Sequence, residues 1–161
     1  MIDRYLKIAF VAALGVMSLL YVIHNIVNID TAYYVVGYVL GLEGNTIFKI
    51  NVLPPITGSL VPVMAWIIFA FEIATGLVCL WGAWTLWRAR AADADAFHAA
   101  KGTARLGAGL AVLTWFGIFG VLGGAGYQMW QHEIGTGSMS DAFKFSVWGL
   151  LVLVYLGQRE G

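Results

Sequence analysis

The chain has 161 residues, of which 60% are hydrophobic and only 11% charged, with a strongly positive mean hydropathy; this excludes disorder and argues against a water-soluble globular domain. Nine basic residues balance nine acidic ones, so no net field recommends a nucleic acid as partner. Cys79 is the single cysteine, which removes intrachain disulfides and cysteine metal clusters, and the length leaves room for one compact bundle.

The opening MIDRYLK is basic and leads into a first apolar run over 8–27. That run is long for a signal peptide and lacks a small-residue cleavage site after it, so it reads as a retained membrane-spanning helix. Ser18, Tyr21, Asn25 and Asn28 recur along it at three- and four-residue spacing, forming a polar stripe able to hydrogen-bond a neighbouring helix. A long connection follows. Its first part, 31–42, mixes Tyr33, Tyr34 and Tyr38 with valine and leucine, a pattern suited to a helix lying at the membrane interface. Glu43-Gly44-Asn45 reads as a turn, and 46–53 as an extended segment running into Pro54-Pro55.

The second span, 56–84, carries one carboxylic acid, Glu72, in the middle of its apolar run and ends in an interfacial belt of Trp81, Trp84 and Trp87. At about 100° per residue, Ala65, Gly76, Cys79 and Ala83 fall within about 40° of Glu72. Small residues let another helix approach, and a carboxyl group facing lipid is costly, so this stripe is expected to face protein or a polar cavity. Pro62 is a candidate kink. The polar stretch RARAADADAFHAAKGTAR, alanine-rich and therefore partly helical, holds Arg88, Arg90, Lys101 and Arg105. A glycine-rich third span over 106–129 contains Gly120 and Gly124 at GxxxG spacing, a helix-packing pattern. After the polar connection WQHEIGTGSMSD, the last span is expected over 142–157, with Lys144 snorkelling outward. Lysine and arginine concentrate in the N-terminal segment, the second connection and the C-terminal segment. The expected fold is therefore an all-α four-helix membrane bundle with both termini cytoplasmic, in a bacterial inner membrane, and a long structured outer connection between the first two spans.

Partners for Glu72 are sought among Ser18, Tyr21 and Asn25 of the first helix and Thr114 of the third. The functional reading of Glu72 is a proton or cation site; the structural one is a carboxyl group hydrogen-bonded inside the bundle. His24, His132 and Glu133 make a thin metal constellation, and no bis-histidine haem arrangement, nucleophile–base pair or phosphate loop is recognisable. No cofactor is expected beyond bound lipid. Most tryptophans suit interfacial belts, but Trp66 and Trp115 sit deeper in their spans.

RYLKIAFVA, HNIVNID, YYVVGYVLGLEGN, FEIATGLVCLWGAWTLWRAR, FHAAKGTARLG and the MWQ at Met129 to Gln131 together resemble a bacterial family of small integral membrane proteins of unknown function. The resemblance runs along nearly the whole chain and implies the architecture without an activity. It departs at Ala125 and Gly126, where an acidic residue is expected, and at Tyr38, where a histidine is. Two functions follow as expectations, with a third kept weakly. The leading one is a non-catalytic accessory or stabilising subunit of a membrane complex, with other membrane subunits, a second copy and lipids as partners. Its alternative is a small oligomeric transporter or channel using Glu72; a quinone- or haem-associated redox subunit is the weakest.

Overall fold

A computed structural model describes residues 1–48 and 50–160, so part of the 46–53 expectation lies outside the described residues. The described chain forms helices α1 (Ile2–Val27), α2 (Ile29–Leu40), α3 (Leu60–Ala89), α4 (Ala94–Ala99), α5 (Gly102–Val112) and α6 (Glu133–Gly157). Past Val112 the α5 helix widens into a π-helical stretch, Leu113–Gly126, and a short 3₁₀ turn, Met129–Gln131, precedes α6. Among the described residues, four helical segments are long and apolar enough to cross a bilayer: α1, α3, Ala94–Gly126 and α6. Both termini lie at one end of the bundle, and α2 lies at the other.

Several boundaries differ from the sequence expectation, each for a local reason. α3 begins at Leu60, so Pro62 sits in its first turn, where the missing N–H has no intrahelical partner to lose, and does not kink the span. The basic connection forms α4, capped by Asp93, whose Oδ1 accepts from the Ala96 N–H at 2.8 Å. α6 starts at Glu133, well before 142. His132 caps it, Nδ1 accepting from the Gly135 N–H at 3.0 Å, and Ser138 donates back to the Ile134 carbonyl at 3.0 Å. Ser138 thus satisfies its hydroxyl within the helix, and Thr136 donates at 3.1 Å to the Trp130 carbonyl just before it, so a stretch that looks like a loop can be helical. Burial pushes the His132 imidazole below its ordinary pKa, in keeping with a ring nitrogen that must stay unprotonated to accept. Around the α2 end, Trp66 of α3 donates to the Tyr33 hydroxyl at 2.9 Å, tying α2 to α3.

Close packing of α3 against two neighbours sets the rest. Ala65, Gly76, Cys79 and Ala83 are all buried, together with Phe69, Thr75, Gly82 and Leu86. A Cβ placed on Gly15 of α1 would come within 3.0 Å of the Gly76 carbonyl and 3.1 Å of Cys79 Cβ; one on Gly107 of α5 would come within 2.8 Å of Cys79 N and Sγ. Cys79 is therefore wedged between the bare backbones of α1 and α5. Inside a bilayer, where lipid is as apolar as the helices, such close approach supplies the attraction between them. The GxxxG pair takes no comparable part. A Cβ on Gly120 would meet only Phe116 of its own helix, and one on Gly124 the flexible end of Met139.

At the termini end the basic residues do more than mark orientation. Lys7 and Lys101, both fully buried, each place an ammonium 2.6 Å from Glu160 Oε1, and Lys7 also pairs with Asp3 at 2.7 Å. Lys101 donates to the Gln158 carbonyl at 2.7 Å, and the Tyr155 hydroxyl donates to Asp3. These bonds fasten the segment after α6 onto α1 and α5. Burial would raise the Glu160 carboxyl, but the Lys101 and Lys7 ammoniums outweigh it and hold the group below its ordinary value of 4.5. A carboxyl lowered on folding contributes stability that is present above its unfolded pKa and lost as pH falls through the folded one. Glu160→Gln should therefore destabilise the protein by about 2 kcal/mol at pH 7, less than the ~3–5 kcal/mol for breaking a fully enclosed pair, because the tail can fray and hydrate the lysines. Thermal unfolding in mild detergent checks this: the gap between wild type and variant should narrow as pH falls below 4.5 and stay constant from pH 6 to 8.

Candidate functional site

The cavity around Glu72 lies between α1, α2, α3, the π-helical stretch and α6 and encloses about 440 Å³. Helix direction explains why it lies toward the α2 end. A side chain on an α-helix leans toward the helix N-terminus, and the N-terminus of α3 is at that end, so the Glu72 carboxyl climbs from its backbone toward α2. Two bonds record the climb. The Glu72 carbonyl accepts from the Ser18 hydroxyl at 2.7 Å, whereas its carboxylate Oε2 accepts from Asn25 Nδ2 at 3.3 Å, two turns further along α1. Glu72 is only 2% exposed.

The sequence-stripe residues are thus brought to one place but in different roles. Ser18 holds Glu72's backbone and Asn25 its carboxyl. Tyr21 lines the cavity with its ring, tilted against Phe145 of α6 at 4.9 Å between centroids. Thr114 lies on a different contact: it donates its proton to the Leu110 carbonyl at 2.8 Å and lies 3.1 Å from Thr75 Oγ1, both on the side toward the termini. Among the packing residues, Gly76, Cys79 and Ala83 sit on the termini side of Glu72 and close the bundle there. A buried cluster of Val11, Leu14, Cys79, Leu86, Phe97, Ala104 and Leu156 continues that seal.

What the sequence did not reveal is the aromatic wall. Trp115, 2% exposed, packs edge-on against Phe145 at 5.5 Å, and Phe69 and Phe119 complete the lining. Of these only Trp115 carried a signal, its depth in the span. At the rim stand His24, Asn28, Thr31, Ser138 and Asp141. Their charges and hydrogen bonds are largely committed: Lys144 pairs with Asp141 at 2.9 Å, and His24 Nδ1 lies 2.8 Å from the Leu20 carbonyl, so that nitrogen carries the proton. A second, apolar recess of about 220 Å³ continues under α2 and shares Val35, Val36, Ile68, Phe119 and Ser138 with the first.

The thin metal constellation does not assemble, since among the described residues no three His, Cys, Asp or Glu side chains gather. His132 serves instead as the α6 cap, with its ring edge-to-face on Tyr38 at 4.8 Å. A buried carboxyl with one long hydrogen bond, set in aromatic walls, can take up a proton or a positively charged or hydrogen-donating ligand; the described residues around it offer no nucleophile–base geometry for covalent chemistry.

Compared with known proteins, residues 3–159 match the family model described as "Predicted small integral membrane protein (DUF2165)". No curated protein and no solved structure matches the chain.

Proposed function

We propose a function from one premise: the chain belongs to the family of predicted small integral membrane proteins. It is a membrane-embedded carrier that binds its ligand at Glu72 from the α2 end. The observation that supports this over an accessory-subunit role is the cavity itself. A purely stabilising role gives no account of a buried acid at the base of about 440 Å³ of aromatic-lined space, which a ligand-binding role does. The concentration of Arg4, Lys7, Arg88, Arg90, Lys101 and Arg105 at the termini end supports placing that end in the cytoplasm, so the cavity opens outward from a bacterial inner membrane. Sealing on the termini side and opening on the other is the arrangement expected of one half of an alternating-access cycle. With four spans in one chain, self-association would complete the pathway.

A hydrophobic carbodiimide, which adds to carboxyl groups it can reach from the lipid phase, tests whether the cavity is open. In membranes, mass spectrometry should find the adduct on Glu72 and not on the same peptide of Glu72→Gln. If Glu72 stays unmodified while the rim Asp141 reacts, the cavity is closed to ligands and the accessory-subunit reading takes its place.

A further inference from the structure

Resting on the reading of this cavity as a ligand site, we infer that its ligand is a small organic monocation, an amine or quaternary ammonium carrying an apolar body. Charge selects the sign. Among the described residues, Glu72 is the one acid at the base of the cavity and no arginine or lysine lines it; at the rim, Asp141 is paired with the Lys144 ammonium, which lies outside the lining. Asn25 is an amide and neutralises nothing, and at 3.3 Å it holds only one carboxylate oxygen. An anion would meet an uncompensated acid in low dielectric, and a neutral ligand would leave that acid as it is.

Wall chemistry then selects the kind of cation. A hard metal ion exchanges its water for about six oxygen ligands, and the deep part of the cavity supplies Glu72 and Asn25 against the rings of Trp115, Phe145 and Phe69. Aromatic faces suit a cation that has already lost most of its hydration to its own alkyl groups, such as a substituted ammonium. Volume agrees: about 440 Å³ far exceeds a bare ion and falls in the range of small organic ligands, and the apolar recess under α2 extends it where the non-polar body would lie.

Equilibrium dialysis with the protein in zwitterionic nanodiscs, against nanodiscs lacking protein, tests the inference with tritiated benzyltrimethylammonium and its uncharged carbon isostere, neopentylbenzene. The cation should bind at one per chain and the isostere at least about tenfold more weakly; Glu72→Gln should weaken the cation by at least about tenfold and the isostere hardly at all. Trp115→Leu, which leaves Glu72 in place, should also weaken the cation more than the isostere. Equal binding of the two probes to wild type overturns the monocation class while leaving the cavity a ligand site. Absence of binding by both overturns the class as well, and the carbodiimide result then separates the two failures: Glu72 labelled keeps the site, Glu72 unlabelled removes it.

Discussion

Gly107→Ala is expected to destabilise the folded bundle by about 2–3 kcal/mol, whereas Gly109→Ala, on the same helix, should be neutral or slightly stabilising. The two substitutions add the same methyl group. At Gly107 that group arrives 2.8 Å from the N and Sγ of Cys79 and 2.9 Å from its Cα, and backbone in the middle of a 30-residue helix cannot step aside without parting α3 from α5. At Gly109 nothing lies within 4 Å, so only the better helix propensity of alanine remains. Unfolding of both variants in a denaturing-detergent titration, read by far-ultraviolet circular dichroism, measures the difference. Equal stabilities would mean that α3 and α5 do not meet at Cys79.

The sequence made the spans legible because an apolar run of about 20 residues has few other uses. It also made legible the face of α3 that packs, since Ala65, Gly76, Cys79 and Ala83 share one side by helical period alone and all four are buried. Properties that depend on two helices at once were hidden. Gly107 and Gly15 matter because of what stands opposite them, while the Gly120 and Gly124 spacing, conspicuous within one helix, meets no backbone of another helix: Phe116 and the Phe119 carbonyl belong to its own helix, and Met139 presents a flexible side chain. Lys7 and Lys101 were readable as topological charges, but their burial on Glu160 depends on how three segments meet. The start of α6 was hidden for a different reason: its glycine, serine and threonine content mimics a loop, and the His132 cap that begins it is a contact of geometry rather than composition.

The same distinction runs through the site. Glu72 stood out as an acid in an apolar run, and the Ser18, Tyr21, Asn25 stripe stood out by spacing. Which atom of Glu72 each neighbour serves was not readable, because it depends on the lean of the side chain toward the α2 end. The aromatic wall was hidden among residues that any membrane helix contains: Phe69, Phe119 and Phe145 come from three different elements and acquire meaning only where they converge.

Loss of transport without loss of fold is the expected result of Glu72→Gln. Glutamine keeps the length of the side chain and an oxygen that can accept from Asn25, and the Ser18 bond goes to the backbone carbonyl, which the substitution leaves alone. Stability should therefore change by less than about 1 kcal/mol. Glu72→Leu, by contrast, leaves the Asn25 amide without its partner and should cost about 1–3 kcal/mol. What glutamine removes is the charge, which a carrier for a monocation cannot do without. The decisive measurement uses liposomes containing this protein alone, with an inside-negative potassium diffusion potential driving uptake of labelled benzyltrimethylammonium. Wild type should accumulate the cation well above protein-free vesicles, and Glu72→Gln, reconstituted to the same density, should fall to the protein-free rate. Uptake by Glu72→Gln equal to that of wild type, or wild-type uptake no faster than in protein-free vesicles, would contradict the assignment of Glu72 as the site of a carrier.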